Sequence, residues 1–159
     1  MIERISDALD PACIKLEIQG RKKPEIIAEL VQIFADAGYI DAPAAITEQV
    51  QERETMMSTG VGGGIAVPHC LSPAVDETLL AFGRHRKGAK FDAVDKKPVR
   101  LFFIMVGPTG AHSEHLRLLS KLSRLLHDET LKSGLLKAAS PEEVIALFAE
   151  REGGGAGGS

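Results

Sequence analysis

Tryptophan is absent from the chain, tyrosine occurs once, and aromatic residues make up only 4% of it. The flat side chains on which single-stranded nucleic acid stacks are therefore scarce. An excess of positive charge is absent too. Nineteen Lys and Arg stand against 22 Asp and Glu, a net charge of -3, which argues against phosphate-backbone binding as the main role. The longest fully apolar run, Leu101 to Val106, falls far short of the roughly 20 residues needed to cross a bilayer. The opening MIERISDALD places acidic residues where a signal peptide needs an apolar stretch. A cytoplasmic protein with no direct membrane insertion and no nucleic-acid partner is expected. Cys13 and Cys70 are the only cysteines; two such positions make no disulfide framework, and both are expected to be free thiols.

What is present is an ordinary globular composition. Hydrophobic residues make up 44% and charged residues 26% of 159 positions, enough for one compact domain with a sizeable core built from Leu, Ile, Val and Ala. Nine of the 16 glycines fall in two places, four within 60–64 and five within 153–158. The closing GGGAGGS follows Arg151-Glu152 and has nothing larger than Ala to bury. The expectation is a single domain over residues 1–150 and a flexible Gly-rich tail over 151–159. The mid-chain cluster lies between periodic segments, where glycines serve close backbone approach or positive φ.

Cys13 to Ile18 alternates as a strand. Pro24 then opens a helix with Ile26, Ile27, Leu30, Val31 and Phe34 at helical spacing, which Gly38 stops, and a second helix is expected from Pro43 to about Met57. Gly64 to Val67 reads as a short strand ended by Pro68, and Thr78 to Phe82 and Val99 to Val106 as two more, the last nearly all apolar and so central. Leu116, Leu119, Leu122 and Leu126 form a core-facing stripe on a helix from Ala111 to His127. Ser140-Pro141-Glu142-Glu143 is an N-cap followed by Pro and an acidic first turn, for a last helix ending near Glu150. No internal repeat is visible. This mixed order favours an α/β fold with the sheet sandwiched between helical layers.

Chemistry concentrates in Arg53-Glu54, Ser58-Thr59-Gly60-Val61-Gly62-Gly63-Gly64 and Ile65-Ala66-Val67-Pro68-His69, within a span of 17 residues. The stretch lacks the Gly-Lys-Ser/Thr of a Walker A loop and the third glycine of a dinucleotide fingerprint, so it is no ordinary nucleotide site. It does place an imidazole at the end of an apolar strand behind a proline. A histidine with an ordinary pKa of about 6.5 is largely neutral at cytoplasmic pH, and its ring lone pair can attack phosphorus without a metal. Arginine and oriented N–H groups suit the three charged oxygens of the transferred group.

These residues, with Phe91-Asp92-Ala93-Val94-Asp95, Pro98-Val99 and His115-Leu116-x-x-Leu119, resemble the type-2 enzyme IIA domains of the bacterial phosphoenolpyruvate-dependent phosphotransferase system, the fructose/mannitol class. The resemblance spans roughly residues 5 to 150. It implies a single-domain three-layer α/β/α sandwich with a mixed β-sheet, and a phosphotransferase component with a phosphohistidine intermediate that needs no cofactor and no metal. His69 would accept phosphate from the histidine phosphocarrier protein. Arg53 would neutralise the phosphoryl oxygens, Ser58 would hydrogen-bond the phosphoryl group or orient His69, and His115 would assist without carrying phosphate. The segment 91–99 looks most like the nitrogen-regulatory branch, whose phosphorylation state controls binding to target proteins. In the sugar-specific branch the phosphate would pass instead to a IIB domain. Cys70 departs from the glycine common after this histidine, which opens the question of redox sensitivity.

Each residue taken alone has a plainer reading: His69 as a hydrogen-bonded strand-end histidine, Arg53 as a helix-end charge matched to the macrodipole, Ser58 and Thr59 as turn or cap residues, and His115 as the polar border of a leucine stripe. Two rival functions remain. One is a zinc site at His69, Cys70, His112 and His115, which are permissible ligands, although strand alternation sends His69 and Cys70 to opposite faces. The other is a regulatory binding module that has lost phosphoryl transfer.

Overall fold

The computed structural model describes residues 3–56 and 60–158. In chain order these form α1 (Ile5–Ala8), β1 (Leu9–Lys15), α2 (Lys23–Asp36), α3 (Pro43–Met56), β2 (Gly60–Gly62), β3 (Ile65–Ala66), β4 (His69–Leu71), β5 (Leu79–Ala89), β6 (Val99–Gly107), α4 (His112–Leu125), α5 (Glu129–Lys137) and α6 (Pro141–Gly158). The sheet order is β1-β5-β6-β3-β2, and β4 also pairs with β6. Pairing is parallel for β1 with β5 and for β3 and β4 with β6, and antiparallel for β5 with β6 and β2 with β3. One apolar core lies on the face covered by α2 and α3, with Ile27, Leu30, Phe34, Ile46 and Val50. A second lies on the other face, where Leu118, Leu122, Leu131, Leu135 and Phe148 come from α4, α5 and α6. The architecture is the expected α/β/α sandwich around a mixed sheet.

As expected, β6 is central and almost wholly buried. The other strands depart from their sequence limits for local reasons. β1 begins earlier and runs through Pro11; it is an edge strand with a register shift between Leu9 and Ile14, a place where the missing N–H of proline costs no ladder bond. β5 continues past Phe82 through Arg84-His85-Arg86-Lys87, whose charge hid it. Arg84 folds back to donate to the carbonyls of Leu135 and Ala138, at 2.9 and 2.8 Å, and so closes the C-terminal end of α5. Pro68 interrupts the strand after β3 without ending its path. The chain rejoins β6 one step later, with Ala66 opposite Phe102 and His69 opposite Met105, and the Pro68 carbonyl accepts from Met105 N at 3.1 Å.

The helices bring three corrections. α5 escapes the sequence reading; it is capped by Asp128, whose carboxylate accepts from Thr130 N and Leu131 N. On α4 the core-facing residues are His115, Leu118 and Leu122, while Leu116 is 53% exposed, so the expected leucine stripe is rotated. The last helix runs beyond Glu150 and across the boundary drawn at residue 151. Glu152 is buried, accepts from Ile5 N and Ser6 N at 2.7 and 2.9 Å, and lies 3.5 Å from Lys121 Nζ. Arg151 reaches Asp128 at 3.0 Å. Glu152 ties the N-terminal turn to α6 and Arg151 ties α6 to the cap of α5, so both belong to the folded body.

Candidate functional site

His69 sits at the edge of the sheet, where helices from both faces meet. The short β4 carries it and β6 fixes its register. Its Nδ1 lies 2.7 Å from the carbonyl oxygen of Val67. A carbonyl oxygen has no proton to give, so Nδ1 is the N–H donor and Nε2 is left with the free lone pair. Proline fixes the backbone between the two partners and so helps set the ring.

His115 comes from the first turn of α4, with its ring centroid 5.4 Å from that of His69 and the planes inclined at 51°. It is 3% exposed, and among the described residues neither ring nitrogen has a hydrogen-bond partner. Burial foremost, then the nearby His69, His112 and Arg53, pushes its pKa down to about 4, so it is neutral at neutral pH. The ring packs over Gly107, where a Cβ would stand 3.0 Å from His115 Nδ1. Glu114, one residue earlier, accepts from Thr78 at 2.8 Å and anchors the helix start to β5.

Arg53 lies in the last turn of α3. It lines a cleft of about 370 Å³ with Gln49, Met56, His69, His112 and His115. The structure thus brings together His69, His115 and Arg53. Ser58 and Thr59 lie outside the described residues. Gln49 is a site residue that sequence reasoning missed. Its buried Oε1 is unpartnered among the described residues, and its one detectable signal is the spacing of four that puts it on the Arg53 face of α3.

A second cleft, of about 610 Å³, opens on the other side of His69 and is walled by Val61, Gly62, Gly63 and Leu116, among others. Gly62, Gly63 and Gly64 take φ of 93°, 67° and 80°, a conformation that explains the glycine run. The Gly63 N–H is held by Asp95 Oδ2 at 3.1 Å, so this amide is engaged by the protein itself.

Cys70 points into the core on the α2/α3 face, and burial pushes its thiol pKa up to about 11. A thiol kept protonated is a poor nucleophile. Among the described residues no group of three or more His, Cys, Asp or Glu is arranged to hold a metal ion. No helix among them is long and apolar enough to cross a membrane.

The model of one protein family, described as the phosphoenolpyruvate-dependent sugar phosphotransferase system, EIIA 2, matches residues 7–151. The chain belongs to this family. It is 39% identical over 137 residues to the fructose-specific EIIA component of Haloferax volcanii, covering 86% of this chain and 89% of that protein. It is 34% identical over 149 residues to the fructose-specific EIIABC component of Bacillus subtilis, covering 94% of this chain but only 24% of that longer protein. The crystal structure of nitrogen regulatory protein IIA-Ntr from Neisseria meningitidis superimposes with a TM-score of 0.84 at 33% identity, covering 91% of this chain and 98% of that one. Sugar-specific and nitrogen-regulatory proteins are both among its relatives.

Proposed function

We propose that the protein is a cytoplasmic phosphocarrier whose His69 Nε2 accepts a phosphoryl group from the histidine phosphocarrier protein. The observation that carries this reading is the tautomer: the Val67 carbonyl holds the proton on Nδ1 and leaves Nε2 a lone pair with no proton to remove. In the transfer the donor's P–N bond breaks as the P–Nε2 bond forms, and the electron pair returns to the donor histidine. Arg53 and the nitrogens of His115, unpartnered among the described residues, stand beside the reacting ring, the arginine as a cation for phosphoryl oxygens and the histidine as a hydrogen-bond donor. Ser58 joins this set as a hydrogen-bond donor. The partner meets an apolar collar in which Leu116 and Val61 are more than half exposed.

The phosphorylated protein then signals by binding a regulated target, as a nitrogen-regulatory IIA would, a reading supported by the likeness to the Neisseria protein. The second reading, a sugar-specific IIA that passes phosphate to a IIB domain, is favoured by the 39% identity to the Haloferax component. Incubation with phosphoenolpyruvate, the general phosphotransferase enzyme and its histidine carrier tests the common step. Acid-labile phosphate is expected on the His69 peptide, absent in His69→Ala and slow to appear in His115→Ala. Full-rate labelling of His69→Ala would refute the site, and no label on the wild type with active donors would make the protein a binding module.

A further inference from the structure

Arg53 and Glu54 are neighbours in sequence but face different surroundings. Along α3, Ile46, Val50 and Glu54 recur every four residues and form its buried side, whereas Gln49, Glu52, Arg53 and Met56 line the cleft beside His69. Glu54 therefore occupies the third position of an apolar stripe. Its side chain is 3% exposed and lies 2.6 Å from Lys23 Nζ. Lys23, at the first position of α2, sits 4.8 Å above the ring of Phe91 and 3.8 Å from Asp92. Gln51 adds a second tie from α3, donating to the Pro24 carbonyl at 3.1 Å.

A buried ion pair is a poor device for stability, since apolar residues of similar volume do as well or better there. What the pair supplies is direction. Successive residues of a helix project about 100° apart, so fixing the azimuth of Glu54 fixes that of Arg53. No hydrogen bond or ion pair holds the Arg53 guanidinium among the described residues, and the helix end alone aims it. We propose that Glu54, clamped by Lys23, is a positioning residue that aims Arg53 at the His69 cleft. The inference rests on the reading of Arg53 as a phosphoryl-binding group. It also assigns a role to Glu54 and Phe91-Asp92, motif residues that the phosphoryl site itself does not use.

The test is a double-mutant cycle between the clamp and Arg53. Initial phosphoryl-transfer rates are measured for the wild type, Lys23→Met/Glu54→Leu, Arg53→Ala and the triple variant. The clamp variant is expected to keep its unfolding midpoint and to lose transfer about tenfold or more, the scale of a misplaced group. In the Arg53→Ala background the same two changes are expected to cost nothing further. A wild-type rate in the clamp variant, or losses that multiply, would overturn the inference. Should the clamp variant not fold, Glu54→Gln enters the same cycle. A second readout needs no phosphate: burial foremost, then His69 and His112 and least of all Arg53, holds the His115 pKa down, so NMR should find a small rise of the His115 midpoint in the clamp variant only when Arg53 is present. If the wild type accepts no phosphate the phosphoryl reading falls, and this titration alone decides whether the clamp aims Arg53.

Discussion

On one face of the sheet α3 buries Ile46, Val50 and Glu54; on the other α4 buries His115, Leu118 and Leu122. Each stripe is apolar except near the helix end closest to the cleft, where it carries one ionisable group, and the two groups are accommodated in opposite ways. Glu54 is matched with a cation at 2.6 Å. Among the described residues His115 has no hydrogen-bond partner, and burial foremost holds it neutral with a pKa of about 4. Pairing uses up the capacity of a group to bind anything else. Leaving a buried polar group unpaired costs about 1–3 kcal/mol, yet keeps it available to an incoming ligand. The difference separates a group that builds the site from one that works in it.

Breaking the paired side should have the largest effect on stability. Lys23→Met leaves the Glu54 carboxylate buried without its cation and should cost about 3 kcal/mol, whereas Lys23→Met/Glu54→Leu should return to the wild-type value or exceed it by about 1 kcal/mol. Urea unfolding midpoints check both. If the single and double variants are equally unstable, the pair is not what governs this end of α3. On the same face but away from the cleft, Gly83→Ala puts a Cβ 2.6 Å from Leu30 Cδ2 and 2.8 Å from Ile18 Cδ1. It should cost about 1–3 kcal/mol by overpacking and leave the rate of phosphate uptake by the folded protein unchanged, which separates core stability from site geometry.

The smallest stability effect is expected on the unpaired side. His115→Leu removes two unsatisfied nitrogens and should hold or raise stability by about 1 kcal/mol, while slowing transfer. The pH dependence gives a sharper contrast. Between the ordinary histidine value of 6.5 and about 4, the unfolded chain binds a proton at His115 that the folded protein refuses, so stability is retained above that window and falls as pH drops through it. Denaturant titrations from pH 7 to 4 should show this fall in the wild type and a reduced slope in His115→Leu. Identical slopes would mean that His115 titrates normally in the folded protein.

The parts of the fold legible in the sequence are those in which one period holds for a whole element. The apolar run of β6 announces a central strand, and the spacing of Ile26, Ile27, Leu30, Val31 and Phe34 announces α2. Elements whose stability comes from elsewhere were hidden. The outer half of β5 is polar and is held by pairing with β6; α5 carries few apolar residues and starts at a side-chain cap. In the candidate site, His69, His115 and Arg53 stood out by residue type within a motif. Gln49 did not, because a glutamine on a polar helix face looks the same whether it meets solvent or a cleft.

By itself the sequence determined the order and type of the main elements and the set of candidate groups, since these follow from local conformational preference and hydrophobic period. Only the tertiary structure decided which ring nitrogen of His69 is free, that Leu116 faces outward while His115 is buried, and that Glu54 meets Lys23. The first depends on the side-chain rotamer that brings the His69 ring to the Val67 carbonyl; the others depend on a partner distant in the chain or on the rotation of an element about its own axis. That rotation is set by how the helices pack on the sheet.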